Sequence, residues 1–285
     1  SAEQAGSLTG DEVKARLLES GEWTAIKARP FSKIADPSTN PSGLFVTAMD
    51  TRPHAVDPDL VIGEQSEAFV LGQELLAKMV DCPVYVCVAP TSNVPLAAHE
   101  RIVSAAFDGP HPAGLAGTHV HFLQGASLTK LAWTIDYQDV IAIGRLFLDG
   151  VLFVDRVVSI SGPAALTPQI IRTRRGADME ALVAGQQSPG ENRLISGSVL
   201  GGRRVQAHSA YLGRFHNQIS LLAEGRDRVL AGWLSPGVSK HSVMGIYLSS
   251  LFGRRPLAMT TTTNGSERAM VPVGAYERVM PLDVL

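Results

Sequence analysis

Apolar residues in the first 80 positions recur at helical spacing in two places. The first helix is predicted to begin after Thr9, because Thr9 and Glu12 have the spacing of a capping box. The second is predicted to begin at Pro58, since proline favours a first helical position and Asp57 before it can cap. The apolar stripes consist of Val13, Leu17 and Leu18 in the first helix and of Ala68, Leu71, Leu75 and Met79 in the second.

Short apolar runs, bounded by turn-forming residues, alternate with these helices. Such runs are typical of strands that are buried on both faces of a sheet. A further helix is predicted over Tyr137–Leu148. The alternation predicts an α/β domain in which helices cover a parallel or mixed sheet. The predicted strands are Leu44–Ala48, Val84–Val88, Ile102–Phe107, Leu131–Ile135 and Val154–Ile160.

The pattern changes after Gly162, where shorter elements predict a small α+β module rather than another βαβ unit. Its predicted elements are the strand Ile170–Thr173, the helix Asp178–Val183, and a loop and strand in Gly190–Leu200. Further on, Gln218–Ala223 and Val229–Leu234 flank a turn and predict a hairpin. We therefore predict three regions, comprising residues 1–161, 162–210 and 211–285.

Composition narrows the class of protein. The 285 residues are 45% hydrophobic and 18% charged, which suits a folded core, and the net charge of -2 argues against nucleic-acid binding. No apolar run approaches the ~18 residues that span a bilayer. Cys82 and Cys87 are five positions apart on a predicted strand, so they point to opposite faces and cannot pair. Unpaired thiols predict a reducing, cytoplasmic location.

Six blocks carry a family resemblance: Gly21–Lys33, Phe45–Pro53, Gly109–Phe122, Trp133–Phe147, Gly190–Leu200 and Asn264–Asp283. They resemble the A subunit of the sodium-translocating NADH:quinone oxidoreductase, over nearly all of the chain. The resemblance implies that this is the central part of that protein, without its N-terminal and C-terminal regions. It implies a Rossmann-like domain similar to the FMN domain of the complex I flavoprotein subunit, and then a soluble-ligand-binding β-grasp (SLBB) domain at about 162–204.

The resemblance also implies a biological setting. The complex oxidises NADH, reduces ubiquinone and exports sodium ions, and electrons enter it through another subunit, which carries FAD and an iron–sulfur cluster. The A subunit is expected at the cytoplasmic face of the bacterial inner membrane, as a peripheral protein against the membrane subunits and especially the B subunit. Ubiquinone is a candidate ligand, and we expect no catalysis by this chain alone.

One departure from the complex I relative concerns flavin. The relative cradles the flavin phosphate on a glycine-rich loop, whereas the corresponding segment here, Trp23–Phe31, contains no glycine. Bulky side chains prevent the close backbone approach that a phosphate nest needs. An acidic, glycine-bearing loop of the relative is likewise replaced by Met49–Pro53. We therefore expect no tightly bound FMN and no NADH site, and no iron–sulfur cluster because four thiolates are lacking.

The glycine-, proline- and histidine-rich segment Gly109–His121 is the candidate ligand site, because ligands bind beyond the carboxyl ends of strands in open α/β sheets. One interpretation is a pocket wall for a quinone head group, with a histidine donating to a carbonyl oxygen. The other is a rigid turn before a helix, with the histidines bonded to the backbone. The candidate residues are Gly109, His111, Gly114, His119 and His121.

Two further functions remain open. A free-standing metal enzyme would use His111, His119 and His121, although His119 and His121 diverge if the segment is a helix and no third ligand is evident. The second open function is that of an oxidoreductase that binds FMN loosely. Asp136, Tyr137, Asp139 and Arg145 could act as acid/base groups, but Asp136 more simply caps the next helix.

Two groups of residues are candidates for contact with a partner. Arg172, Arg174 and Arg175 form a basic cluster that either meets an acidic partner or lipid head groups, or is a solvated strand face. Met270, Tyr276 and Arg278 belong to a terminal segment whose mixture of apolar residues, Tyr and Arg is common at interfaces, with ordinary packing as the alternative.

Overall fold

The computed structural model describes residues 6–226, 235–240, 247–252 and 257–262. Two sheets organise the described chain. The first domain contains strands β1 (Lys27–Arg29), β2 (Lys33–Ile34), β3 (Gly43–Thr47), β4 (Val84–Val88), β5 (Ile102–Ala106) and β6 (Ala132–Asp136). Its helices are α1 (Gly10–Ser20), α2 (Pro58–Glu64), α3 (Ser66–Met79), α4 (Ala116–Leu123) and α5 (Tyr137–Asp149). The second domain contains β7 (Asp155–Ser161), β8 (Gln169–Arg174), α6 (Met179–Leu182), β9 (Asn192–Ser196), β10 (Arg203–Arg204) and β11 (Gln218–Ala223).

The first sheet has the strand order β2-β1-β6-β3-β4-β5. Strands β6, β3, β4 and β5 run parallel, while β1 pairs antiparallel with both β6 and β2. The chain moves outward from β3 to β5 and then returns to place β6 on the other side of β3. The topological switch point therefore lies between β3 and β6, and the predicted mixed sheet with covering helices is confirmed.

The alternation of side chains along the parallel strands divides the core between the two faces of the sheet. Leu44 and Val46 of β3 belong to a large apolar cluster with residues of α1, α3 and α5. Phe45, between them, faces a smaller cluster on the opposite side, where Val120 of α4 packs. Cys82 lies in the larger cluster and Cys87 in the smaller one, and both thiols are free.

Three helix starts have the caps that the sequence indicates. Thr9 and Glu12 form a reciprocal capping box at α1, and Asp57 caps α2 with Pro58 in its first turn. Asp136 accepts a hydrogen bond from the Gln138 amide and caps α5. No helix in the part of the chain that the structure describes is long and apolar enough to cross a bilayer.

Helices α3 and α5 approach each other backbone to backbone at two glycines. A Cβ atom built on Gly72 would overlap the carbonyl oxygen of Val140, and one built on Gly144 would overlap that of Ala68. Interiors are packed at crystal-like density, so no spare volume exists to accept a side chain at either position. This contact holds α5, and therefore its first turn, close to the sheet.

The second domain has a mixed sheet in the order β10-β9-β11-β7-β8, with β7 and β11 parallel at its centre. Its core contains Ile160 and Ile219 from these strands and Met179 from α6. Both central strands fall outside the predicted region 162–210, because β7 begins at Asp155 and β11 lies after residue 210. The boundaries differ because a strand's partner, which decides its sheet, is distant in sequence. The second strand of the predicted hairpin lies outside the described residues.

Candidate functional site

Hydrogen bonds between buried and half-buried polar groups fix the second domain against the carboxyl edge of the first sheet. The Gln138 side chain bonds both the amide and the carbonyl of Val157 at 2.9 Å. The Gln218 amide group donates to the Pro53 carbonyl oxygen at 2.9 Å, and Asn217 donates to both carboxylate oxygens of Asp136 at 3.1 Å. The space that remains between the domains therefore opens beside the switch point.

The candidate segment Gly109–His121 packs on the loop that follows β3. The Gly114 amide donates to the Thr51 hydroxyl oxygen at 2.9 Å, and His111 Nδ1 lies 3.3 Å from the same oxygen. A Cβ atom on Gly114 would come within 2.6 Å of the Thr51 amide nitrogen, so glycine is required by the close approach. Gly109 lies at a separate opening beyond the ends of β3, β4 and β5.

The other two candidate histidines lie away from the space between the two domains. His119 and His121 are both in α4, as expected for the helical alternative. His119 is buried against the Phe107 ring, its Nε2 is 2.9 Å from the Ala113 carbonyl oxygen, and burial lowers its pKa to about 4. His121 is exposed. Among the described residues, no group of three or more His, Cys, Asp or Glu side chains could hold a metal ion, so the metal-enzyme hypothesis gains no support.

His111 lies in an interdomain cleft, which we define as a cavity of about 360 Å³ between the domains. Its apolar lining includes Leu115, Leu200 and Phe215, and the last two are large exposed side chains. Its polar lining consists of Lys27, Asp50, Arg52, His111, Ser198, His216, Asn217 and Gln218. Apolar walls with a few polar groups are the usual composition of small-molecule pockets.

His216 is the second imidazole of the interdomain cleft. The Ser196 hydroxyl oxygen accepts from the Gly213 amide at 3.0 Å and lies 2.8 Å from His216 Nδ1. That hydroxyl can donate its own proton to Nδ1, and in that tautomer the ring proton is on Nε2. Burial lowers the pKa of His216 to about 4. The ring is therefore neutral near pH 7.

A second space, the switch-point cavity of about 190 Å³, lies between the carboxyl ends of β3 and β6. Lys27, Arg29 and Arg52 contribute cations to its lining, and Asp50 and Asp136 contribute carboxylates. Burial, followed by the nearby Asp139 charge, raises the pKa of Asp136 to about 6. The switch-point cavity and the interdomain cleft share Lys27, Asp50, Arg52, Leu115 and Phe215.

Asp139 belongs to an ionic joint between the domains rather than to either cavity. It accepts hydrogen bonds from the buried Arg156 and from Arg214. Arg175 and Arg214 both lie beside the buried carboxylate of Glu22. Among the other acid/base candidates, Tyr137 is buried, and Arg145 pairs with Asp149 on the surface of α5. The contacts of Tyr137 and Arg145 are structural, and of the four acid/base candidates Asp136 is the one that lines either of these two cavities.

The segment expected to exclude flavin is a short 3₁₀ turn followed by β1. Trp23 is buried, donates from Nε1 to the Ala35 carbonyl oxygen at 2.7 Å, and meets the Trp133 ring edge to face. Strand β1 hydrogen-bonds to β6, so its backbone amides serve the sheet and do not form a nest. Lys27 and Arg29, however, line the switch-point cavity, so the side chains of this segment do not fill all of the space beside β1.

Comparison with known proteins identifies the family. Residues 8–152 match a family described as "NqrA second alpha/beta domain", and residues 157–207 match "NQRA C-terminal domain". The chain belongs to the NqrA family. It is 56% identical over 269 residues to the A subunit of the Na(+)-translocating NADH-quinone reductase of Saccharophagus degradans, covering 94% of this chain and 60% of that protein. It is 51% identical to the same protein of Pseudomonas aeruginosa over 284 residues, 100% of this chain and 63% of the relative.

The chain thus spans about three fifths of the length of the curated NqrA relatives that it matches. Among solved structures it resembles an NAD+-reducing NiFe hydrogenase in the H2-reduced state, with a TM-score of 0.50 and 12% identity. That likeness covers 77% of this chain and 48% of the other. At this identity it shows a shared fold only. The predicted family, and the fold of an α/β domain followed by an SLBB domain, are confirmed.

The residues predicted to meet a partner of this NqrA chain have different surroundings. Arg172 pairs with Glu64 on the surface and Arg174 is exposed, so both remain candidates. Arg175 instead directs its guanidinium inward to Glu22, 3.0 Å from Nη1 to Oε2, and to the Phe153 carbonyl oxygen. Met270, Tyr276 and Arg278 lie outside the described residues.

Sequence reasoning did not single out Lys27, Arg52, His216 or Asn217 as site residues, although all four line the two cavities. Lys27 and Arg29 are two positions apart, so an extended segment places them on one face, and this signal was present in the sequence. His216 and Asn217 stand just before a predicted strand, but no local pattern distinguishes them from ordinary loop residues.

Proposed function

We propose that the full-length protein works in a respiratory membrane complex that oxidises NADH, reduces ubiquinone and exports sodium ions. In this proposal it is a peripheral protein on the cytoplasmic side, held against the membrane subunits and especially the B subunit. Membership of the NqrA family supports this setting. Its role is structural and quinone-interacting, without a tightly bound flavin or iron–sulfur cluster, and electrons enter the complex elsewhere.

The interdomain cleft is the observation that carries the quinone-interacting role. A quinone head group is apolar, with two carbonyl oxygens that accept hydrogen bonds. The cleft offers a neutral imidazole at His216, which donates when its proton is on Nε2, and a second imidazole at His111, beside the exposed apolar side chains Leu200 and Phe215. An apolar wall with a few oriented donors suits such a head group better than it suits a dinucleotide.

Photo-crosslinking of an azido-ubiquinone to the intact complex, read by peptide mapping, tests this role. We expect labelled peptides from Gly109–Phe122 and from residues 195–218, and excess ubiquinone should suppress the label. His111→Leu should weaken labelling about fivefold, as for loss of one neutral hydrogen bond. His121→Leu is the matched control, because His121 is exposed on α4 outside the cleft lining, and it should label like the wild type.

Label confined to other proteins of the complex, or equal loss in both variants, would contradict the quinone-interacting role. Reconstitution of the complex without the NqrA protein tests the wider proposal. Quinone reduction and sodium transport that remain unchanged in its absence would refute it.

A further inference from the structure

The switch-point cavity combines a defined volume with an excess of positive charge. Its volume of about 190 Å³ is smaller than the ~300–1,000 Å³ of pockets for drug-sized ligands, so it suits a small group. Lys27 and Arg29 enter it from one face of β1, and Arg52 enters from the loop after β3. The functional role proposed above gives these cations no part, although Lys27 and Arg52 also line the interdomain cleft.

The carboxylates of the lining are engaged by other groups. Asp50 pairs with Arg52 at 2.8 Å and accepts from the Arg52 amide at 2.9 Å. Asp136 accepts both hydrogen bonds from Asn217 and one from the Gln138 amide. Asp50 therefore neutralises Arg52, and Asp136 is directed to Asn217 and the start of α5, which leaves Lys27 and Arg29 as the cations that these carboxylates do not contact.

Lys27 and Arg29 have no such partner. No carboxylate among the described residues lies within 4.0 Å of either side chain. The Lys27 ammonium lies 3.4 Å from the centroid of the Phe215 ring, and burial lowers its pKa despite the nearby Asp139 and Asp136 charges. The Arg29 guanidinium lies against α4, where a Cβ on Gly117 would come within 3.0 Å of its Nη2. Partly buried cations without a counter-ion favour an anionic ligand.

Neutral donors complete the lining. Thr47 and Ser32 line the same cavity, and a hydroxyl group can donate one hydrogen bond to an oxyanion, whereas the Thr134 hydroxyl donates to the Lys27 carbonyl oxygen. The first turn of α4, whose capping residue Leu115 offers no side-chain hydrogen bond, borders it as well. These groups add to the cations, which remain the basis of the inference.

We propose that the switch-point cavity binds the phosphate group of a small, water-soluble phosphate-bearing molecule through Lys27 and Arg29. Arginine binds phosphate with two parallel N–H donors and lysine adds a compact charge, so the pair matches a doubly charged group. Side chains rather than a glycine-rich backbone nest would hold the phosphate, in agreement with the glycine-free segment that bears them.

Calorimetric titration of the full-length protein with inorganic phosphate, at constant ionic strength, tests this site. We expect saturable binding with one phosphate per chain. Arg29→Gln and Lys27→Gln should each weaken binding about tenfold or more, as for loss of a charge-assisted hydrogen bond. Arg29→Lys keeps the charge and should weaken it less. Circular dichroism of each variant checks that the fold is retained.

Lys33→Gln is the matched control, because Lys33 is exposed on β2 of the same hairpin and does not line the cavity. Its binding should equal that of the wild type. Heat that does not saturate, or equal weakening in Lys33→Gln and Arg29→Gln, would overturn the proposal. Sedimentation with phosphatidic acid vesicles separates the sources of phosphate. Vesicle binding that Arg29→Gln abolishes, without binding of soluble phosphate, would overturn the assignment to a soluble ligand.

Discussion

Two buried contacts of this chain use opposite chemistry. Helices α3 and α5 meet through glycine and apolar side chains, with Gly72 and Gly144 at the points of closest approach. The ionic joint between the domains, a short distance away at the start of α5, instead contains buried charges. Its members are Glu22, Asp139, Arg156, Arg175 and Arg214.

The difference shows what each contact does. Apolar contacts are non-directional and stabilise a domain roughly in proportion to the area they bury. Buried ion pairs offset their desolvation cost only in one geometry, so they add little net stability but penalise every misplaced arrangement. We therefore interpret the helix contact as the source of stability in the first domain. The joint fixes the second domain over the carboxyl edge of the sheet, where the two cavities lie.

Arg156→Met is expected to break the joint with the largest effect. Both Arg156 and Asp139 are almost fully buried, so the substitution leaves the carboxylate with Arg214 as its remaining cation. Removing one partner of a buried pair costs about 3–5 kcal/mol, and we expect the lower end because Arg214 remains. Urea denaturation followed by circular dichroism measures the free energy of unfolding.

Arg145→Met is the matched control for that substitution. Arg145 pairs with Asp149 at 3.0 Å on the partly exposed face of α5, and such surface pairs contribute less than about 1 kcal/mol. Equal losses of stability in Arg156→Met and Arg145→Met would mean that the burial of the ionic joint does not determine its contribution to stability.

Gly144→Ala tests the apolar contact between α3 and α5. Its Cβ would overlap the Ala68 carbonyl oxygen and force α3 and α5 apart, so we expect a loss of about 2 kcal/mol. Gly63→Ala is the control, since a Cβ there meets no atom within 4 Å. Alanine in a helix is favoured over glycine, so this variant should gain about 0.5–1 kcal/mol. Equal changes in unfolding free energy would show that the helices can separate without cost.

How much of the fold could be predicted depends on whether a feature is visible within one segment or requires a partner that is distant in sequence. Alternation and short apolar runs identified β3, β4, β5 and β6, because each strand's own side chains report its burial. Strands β1 and β2 were missed, since strands of three and two residues are too short to show a period. Strand β7 ends the predicted region 1–161 but pairs in the second sheet, which no local pattern indicates because its partner β11 follows some 60 positions later.

The candidate site was less accessible to sequence reasoning. His111 was identified from an unusual segment, but His119 and His121 stand in the same segment and lie outside the interdomain cleft. Helical geometry decides that separation, and the sequence alone left helix and strand open. Glu22 and Arg175 are 153 residues apart in the chain, so no local pattern could join them.

Asp136→Asn tests a carboxylate that caps α5 and lies beside the ionic joint. Its pKa is raised from 3.8 to about 6 in the folded protein. Between these values the native state binds more protons than the unfolded state, so stability is fully present below pH 4 and falls as pH rises toward 6. We expect the wild type to lose on the order of 2 kcal/mol relative to the Asn variant between pH 4 and pH 7.

Urea midpoints of both proteins across this pH range provide the measurement. Asp57→Asn is the control, because Asp57 caps α2 in the same way but is exposed to solvent. This variant should still lose stability between pH 4 and pH 7, because it retains Asp136. The loss of stability with rising pH would then be assigned to Asp136, which lies beside the ionic joint, whereas the contact between α3 and α5 would not respond to pH. Parallel profiles for Asp136→Asn and the wild type would instead mean that solvent reaches Asp136 and that its ionisation does not lower the free energy of unfolding.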